Sequence, residues 1–244
     1  MRIGGFVVSA PVVSEATVPA FVKIVMTLGL AFVLAPLAPV PADLSIFSAA
    51  GLLAALQELV IGVAIGLTVQ LVFEALTFAG QTISSIMGLG FATLVDPQRG
   101  ANTTVIGQMF MIFGMLTYLA MDGHLVLLGV LANSFRTLPI GVAGIDKNFP
   151  LSVAIWGARV FESGLLIALP AVIALVIVNL ALGVVTRAAP QLNLFGVGFT
   201  ITLMAGYFVL IVSLDCIMYG ISTLIDSALR TVTDLVGVPA AGVH

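Results

Sequence analysis

Charge is what this sequence has least of. Eight Lys and Arg and eleven Asp and Glu among 244 residues make 8% charged side chains, against 61% hydrophobic ones and a mean hydropathy of +1.26. A soluble domain typically carries about a quarter of its residues charged. A water-soluble globular fold is therefore excluded, and an integral membrane chain or a subunit of a membrane-embedded assembly is implied, with lipid around it. The net charge of −3 comes from scattered residues with no basic run, so neither nucleic acid nor an anionic-lipid patch is expected as a partner. Lys and Arg are spread evenly over the loops, so the positive-inside rule assigns no orientation.

Cysteine and histidine are nearly absent too. Cys216 stands alone in an apolar run, which excludes an internal disulfide and a cysteine-based metal cluster. His124 and the terminal His244 have too few companions to form a metal site. No serine or cysteine sits in a nucleophile motif beside a base, and Asp215, Asp226 and Asp234 are too widely spaced for a carboxylate pair. The expectation is a protein with no catalytic site, no cofactor and no metal.

Turn signals are missing from the first of three long apolar runs. Leu44 to Met87, Leu151 to Thr186 and Leu194 to Val236 each far exceed the ~20 residues of a bilayer span. Each hides a two-span hairpin or is one long helix reaching beyond the bilayer. Leu44 to Met87 contains no Pro and no Asn-Gly or Asp-Gly pair, only isolated glycines, which favours long bent helices. Gly62 and Gly66 form a small-xxx-small pair that lets another helix approach closely, and Gly164 with Pro170 marks a plausible kink.

The remaining organisation follows from its breakers. Arg2 ahead of Ile3 to Val13 superficially resembles a signal peptide, but one basic residue and the early Pro11 read better as the end of a helix that would normally be longer. Ala20 to Leu34 is apolar and stops at Pro36, Pro39 and Pro41, in a linker ending at the capping signal Asp43-Leu44-Ser45. Thr104 to Met121 and Leu125 to Leu138 flank the turn signal Asp122-Gly123-His124 and read as a tight helical hairpin. Arg187, Pro190, Gln191 and Asn193 form the polar tip of a large carboxy-terminal hairpin, with Asn193 capping the last helix. The chain thus divides into an amino-terminal helical region, 1–150, and a carboxy-terminal helical hairpin, 151–244. The fold class is all-α.

Two polar features stand out against this background. Gln70, Glu74, Thr77, Gln81 and Ser84 recur at helical spacing and share one stripe. A carboxylate at mid-membrane costs about 2.5 to 3.5 kcal/mol, so the stripe faces water in a pore, polar groups of another subunit, or neighbouring helices that it glues together. Glu58, on a different face, is read as an inter-helix contact and grouped with the stripe as a pore or subunit-interface residue. Arg159 and Glu162, one turn apart, read as an ion pair, and Asn179 as a helix–helix hydrogen bond.

The second feature is the stretch from Met87 to Thr104. It keeps Met87, Leu89, Phe91, Leu94 and Val95, yet Gly88, Gly90, Pro97 and Gly100 deny it a regular helix. Non-helical backbone at membrane depth needs protein or water as partners. Such a segment is either a plug inside a protein-lined pore or an interfacial loop buried against its own helices.

Four separated strings, in order, carry a resemblance: Met87 to Pro97 (MGLGFATLVDP), Asp122 to Leu125 (DGHL), Phe135 to Gly141 (FRTLPIG) and Ala189 to Asn193 (APQLN). Together they resemble the FliR family of flagellar type III export-gate proteins, which includes the injectisome subunit SctT, less closely similar here. Family members usually begin with a longer first helix, so Met1 falls inside it. The resemblance implies one copy in a hetero-oligomer with FliP-like and FliQ-like subunits, with FlhB wrapping the entrance, in the bacterial inner membrane at the flagellum basal body. It implies a FliP-like amino-terminal part and a FliQ-like terminal hairpin. It also implies that 87–104 plugs the closed channel for unfolded export substrates. On that reading Phe91, Leu94 and Val95 obstruct the pore, Gly88, Gly90 and Gly100 are joints, and Asp96, Arg99 and Asn102 are polar clasps; Met87 and Pro97 belong to the same segment. An injectisome gate subunit and, less favoured, a self-contained polytopic permease are the alternative functions.

Overall fold

The computed structural model describes residues 1–11, 13–15, 18–38, 48–89, 104–141, 149–188 and 198–237. Among them are helices α1 (Arg2–Ser9), α2 (Ala20–Leu34), α3 (Ala49–Ile86), α4 (Val105–Ala120), α5 (Gly123–Thr137), α6 (Phe149–Ala188) and α7 (Phe199–Leu235), with a 3-10 turn at Ala35–Leu37 and no strand. The fold class is all-α, as expected. The described part of each long apolar run is essentially one helix: α3 has 38 residues, α6 has 40 and α7 has 37. At ~1.5 Å per residue these reach about 55 to 60 Å. Among the described residues four helices are long and apolar enough to cross a membrane, or up to five spans if α4 and α5 together form one.

Local chemistry explains where these helices begin and bend. The Ser48 hydroxyl accepts the Gly51 N–H at 3.0 Å, capping α3; the Asp43-Leu44-Ser45 signal lies outside the described residues. The α4–α5 turn corrects one expectation, because the two helices are bent by 64° at their break rather than folded back as a tight hairpin. Only Met121 and Asp122 separate them. Asp122 takes the left-handed conformation (φ 54°), and its carbonyl already accepts the Leu125 and Val126 N–H groups that open α5. The left-handed residue in that short link is where the chain changes direction. Helix α6 runs through Pro170 without interruption.

The chain forms two compact units. The first comprises Met1–Val72, Tyr118–Arg159 and Ile225–His244. In it α1 lies against α3 at the two glycines singled out in the sequence: a Cβ on Gly62 would overlap the Arg2 carbonyl, and one on Gly66 would overlap Ser9. The Ser9 hydroxyl lies 2.8 Å from the Gly5 carbonyl and 3.2 Å from that of Val63, and the Trp156 indole N–H donates to the Thr68 carbonyl at 2.9 Å. The second unit comprises Phe73–Thr117 and Val160–Leu224. There a Cβ on Gly80 of α3 would stand 2.6 Å from the Gly107 Cα of α4, and one on Gly164 of α6 would stand 2.8 Å from the Ala75 carbonyl. The contacts of Ile167 with Gly220 and of Asn179 with Thr202 make α6 and α7 antiparallel in this unit.

Candidate functional site

In the first unit the polar chemistry centres on Arg2, which is 1% exposed. Its guanidinium grips Glu58 through two parallel bonds, Nε to Oε2 at 2.9 Å and Nη2 to Oε1 at 2.8 Å. The remaining face donates from Nη1 to the Ser134 hydroxyl at 2.9 Å and from Nη2 to the Leu138 carbonyl at 2.7 Å. The Phe135 ring lies 4.5 Å from Cζ, within range of a cation–π contact. The fork geometry of arginine suits this arrangement because one planar group satisfies a carboxylate, a hydroxyl and a carbonyl together. Glu58 is thus an inter-helix contact between α3 and α1. A cavity of about 400 Å³ adjoins the pair, lined mainly by apolar side chains that include Leu34, Ala54 and Phe135.

The polar stripe of α3 has mixed surroundings. Gln70, in the first unit, is half-buried and accepts a long 3.5 Å bond from the Ser14 hydroxyl. In the second unit Glu74 is exposed, Thr77 is buried with its hydroxyl donating to the Phe73 carbonyl at 2.9 Å, and Gln81 is half-buried beside Gly107 of α4. Ser84 is wholly buried and its Oγ has no hydrogen-bond partner. Among the described residues, His124 Nδ1, at the start of α5 in the first unit, is the other buried side-chain atom without one.

At the end of α3, in the second unit, the backbone closes in a Schellman motif. The Gly88 N–H donates to the Ser85 carbonyl and the Leu89 N–H to the Ser84 carbonyl, both at 3.1 Å. Gly88 has φ 83°, a conformation that favours glycine. The motif does not use the Ile86 carbonyl, and this accepts the Asn179 Nδ2–H from α6 at 3.2 Å. Asn179 Oδ1 in turn lies 3.3 Å from the Thr202 hydroxyl of α7, which also reaches the Gly198 carbonyl at 3.0 Å. Met87 is 0% exposed and packs on Gly206 of α7. The segment 87–104 therefore leaves α3 from a point held by three helices.

Sequence reasoning located Met87, Gly88 and Asn179 but missed how they combine, because Thr202 and Gly206 carry no local signal. It also missed Arg2 as the partner of Glu58; a lone arginine in an apolar run, with a lone glutamate elsewhere, was the available clue. Arg159 and Glu162 are both exposed and make no ion pair with each other, whereas Arg230 and Asp226 do pair, at 2.7 Å. Arg187 is exposed near the end of α6. Pro190, Gln191 and Asn193 lie outside the described residues, as do Gly90, Phe91, Leu94, Val95, Asp96, Pro97, Arg99, Gly100 and Asn102. Among the described residues no three His, Cys, Asp or Glu side chains are grouped to hold a metal ion.

Long apolar helices, joined inside by a buried ion pair and a neutral hydrogen-bonded cap, define a polytopic α-helical membrane protein. Residues 1–228 match the model of the family described as bacterial export proteins, family 1. The chain is 39% identical over 206 residues to the flagellar biosynthetic protein FliR of Escherichia coli K12, covering 84% of this chain and 78% of that protein. It is 41% identical, with the same coverage, to FliR of Pectobacterium carotovorum. Against FliR of Bacillus subtilis it is 30% identical over 243 residues, covering 96% and 92% of the two chains. The chain belongs to this bacterial export family, that of FliR.

Proposed function

We propose that the protein is a subunit of the flagellar type III protein export gate. It contributes part of the wall of a pore for unfolded substrates, and its 87–104 segment is the plug that keeps the pore closed. The observation that carries this reading is a contrast within one stretch of chain. An apolar, breaker-rich sequence follows a stem joined to α6 and α7 by neutral contacts, and the helices on either side of it pack closely at Gly80 and Gly107. A paired stem confines the segment to one place while Gly88, Gly90 and Gly100 let it swing. Phe91, Leu94 and Val95 exclude water and ions; Asp96, Arg99 and Asn102 clasp neighbouring subunits. Export substrate displaces the segment, with energy supplied elsewhere in the apparatus and no hydrolysis in this chain.

The same reading assigns Gln70, Glu74, Thr77 and Gln81 to the pore or a subunit interface. It assigns 1–150 to a FliP-like region, 151–244 to a FliQ-like hairpin, and Arg187, Pro190, Gln191 and Asn193 to its tip. The partners are FliP-like and FliQ-like subunits and FlhB, in the inner membrane at the flagellum basal body. Many apolar side chains of α2, α6 and α7 are exposed in the single chain, which supports burial against lipid or other subunits. Deleting Phe91 to Val95 tests the assignment: ion leakage rises in cells carrying the assembled gate, and unchanged conductance refutes the plug.

A further inference from the structure

We infer that Asn179 and Thr202 are positioning residues that fix the exit of the chain from α3 and make it answer to α6 and α7. The inference rests on the plug reading for its consequence in export, although the lock itself is argued from described residues alone. A Schellman motif satisfies two carbonyls of the last helical turn and leaves the Ile86 carbonyl to be met by something else. Asn179 meets it from α6, and because an amide donates and accepts at once, the same side chain also receives the Thr202 hydroxyl from α7. The Thr202 proton is shared with the Gly198 carbonyl, so this second arm is the weaker. Below it, the buried Met87 fills the space left by Gly206, where a Cβ would overlap the Met87 Cε and stand 2.7 Å from its Cγ and Sδ.

Three helices are thus tied to one short stretch, and none of the ties is ionic. Ser84, one turn earlier, contributes no side-chain bond despite its burial, so the Asn179 amide is what joins the last turn of α3 to the facing pair. A shift of α6 along α7 changes both arms of that amide together. The backbone at Gly88 and Leu89 is then released from its cap without breaking a charge pair.

The test uses the native gate complex, with amide hydrogen exchange at Gly88 and Leu89 and ion leakage in cells as separate readouts. Asn179→Leu, which keeps the bulk but loses both bonds, is expected to speed exchange at these amides about three-fold, the scale of one interhelical hydrogen bond in a membrane protein, and to raise leakage. Thr202→Val is expected to move both readouts in the same direction but less, and Thr202→Ser, which restores the hydroxyl, to return them to the parent values. If Asn179→Leu prevents assembly, the Val and Ser pair decides alone. Unchanged exchange in Thr202→Val, or failure of Thr202→Ser to restore it, overturns the lock. Faster exchange without leakage, in a gate that leaks when Phe91 to Val95 is deleted, overturns its coupling to closure. If that deletion itself does not leak, the plug reading falls and exchange still judges the lock.

Discussion

In the first unit a guanidinium and a carboxylate are taken almost wholly out of solvent and locked to each other, whereas in the second the end of α3 is held by a neutral amide and a hydroxyl. The difference lies in what each contact does when it is broken. Separating Arg2 from Glu58 strands a buried charge, which typically costs 3–5 kcal/mol, so that junction is effectively permanent. Interhelical hydrogen bonds in membrane proteins average about 0.6 kcal/mol, so the junction at Ile86 can open and reclose at ordinary thermal energies. One chain therefore carries a fixed joint between α1 and α3 and a yielding one where α3 ends.

The largest expected effect comes from breaking the fixed joint. Glu58→Ala leaves Arg2 charged, buried and short of its main partner, and should destabilise by about 3–5 kcal/mol. For a chain of this size that is a fall in Tm on the order of 10 °C, measurable as a shifted melting curve and a depleted subunit in the purified complex. A wild-type melting curve would show that α1 is not held by charge. The double substitution Arg2→Met with Glu58→Leu sharpens the point, because removing both charges should recover most of the loss. Recovery will be incomplete, since Ser134 and the Leu138 carbonyl lose their donor.

Next in size is the backbone contact beneath the pair. Gly62→Val places a branched side chain where the Arg2 carbonyl sits. Backbone cannot rotate away as a side chain can, so α1 must lift from α3, with a cost of about 1–3 kcal/mol as for other overpacked cores. The same melting measurement reports it, and a stability within error of wild type would mean that the two helices are not in close contact.

What could be read beforehand divides along the same line. Length and apolar composition made the three long helices legible, most clearly α3, whose run has no Pro or Asn-Gly to break it, and spacing alone marked Gly62 and Gly66 as a close approach. The Arg2–Glu58 pair was not legible, since a separation of 56 residues leaves no local trace of which charges meet. Nor was the cap at Ile86: Asn179 was visible as an isolated amide, but its partners are a backbone carbonyl and a threonine, neither of which is marked out in the sequence from others of its kind. The bend between α4 and α5 was misread because Asp-Gly signals a turn without specifying its angle, and a link of two residues serves a helical hairpin as well as a bend. The polar stripe was correct as a periodicity, yet period does not reveal neighbours: Thr77 and Ser84 are buried while Glu74 is exposed.

Glu74 supplies a smaller prediction on the yielding side. Its exposure in the single chain means that any contact it makes within this subunit is screened by solvent, so replacing it by Ala should cost the fold no more than about 1 kcal/mol. The larger proposed effect falls on the assembled gate, where a carboxylate near mid-membrane faces water or another subunit. Purified complexes carrying Glu74→Ala should therefore show reduced subunit retention or altered ion leakage, with the melting curve of the subunit shifted by no more than about 3 °C. A fully normal complex would make the stripe incidental to assembly.

The smallest effect is expected at Arg230, and it calibrates the comparison. Arg230 and Asp226 form a short ion pair one helical turn apart on α7, with side chains 73% and 38% exposed. By distance alone this pair matches Arg2 with Glu58. Exposed pairs at this spacing are worth only about 0.3–0.5 kcal/mol, because water and salt screen both charges before and after folding. Arg230→Ala should thus shift the melting curve by on the order of 1 °C, and raising the salt concentration should erase the difference between variant and parent. The Glu58→Ala defect should persist at the same salt, because ions do not reach a guanidinium that is 1% exposed. Equal salt sensitivity at the two sites would mean that burial does not separate the fixed joint from an ordinary surface pair, and the contrast between the two junctions would lose its physical basis.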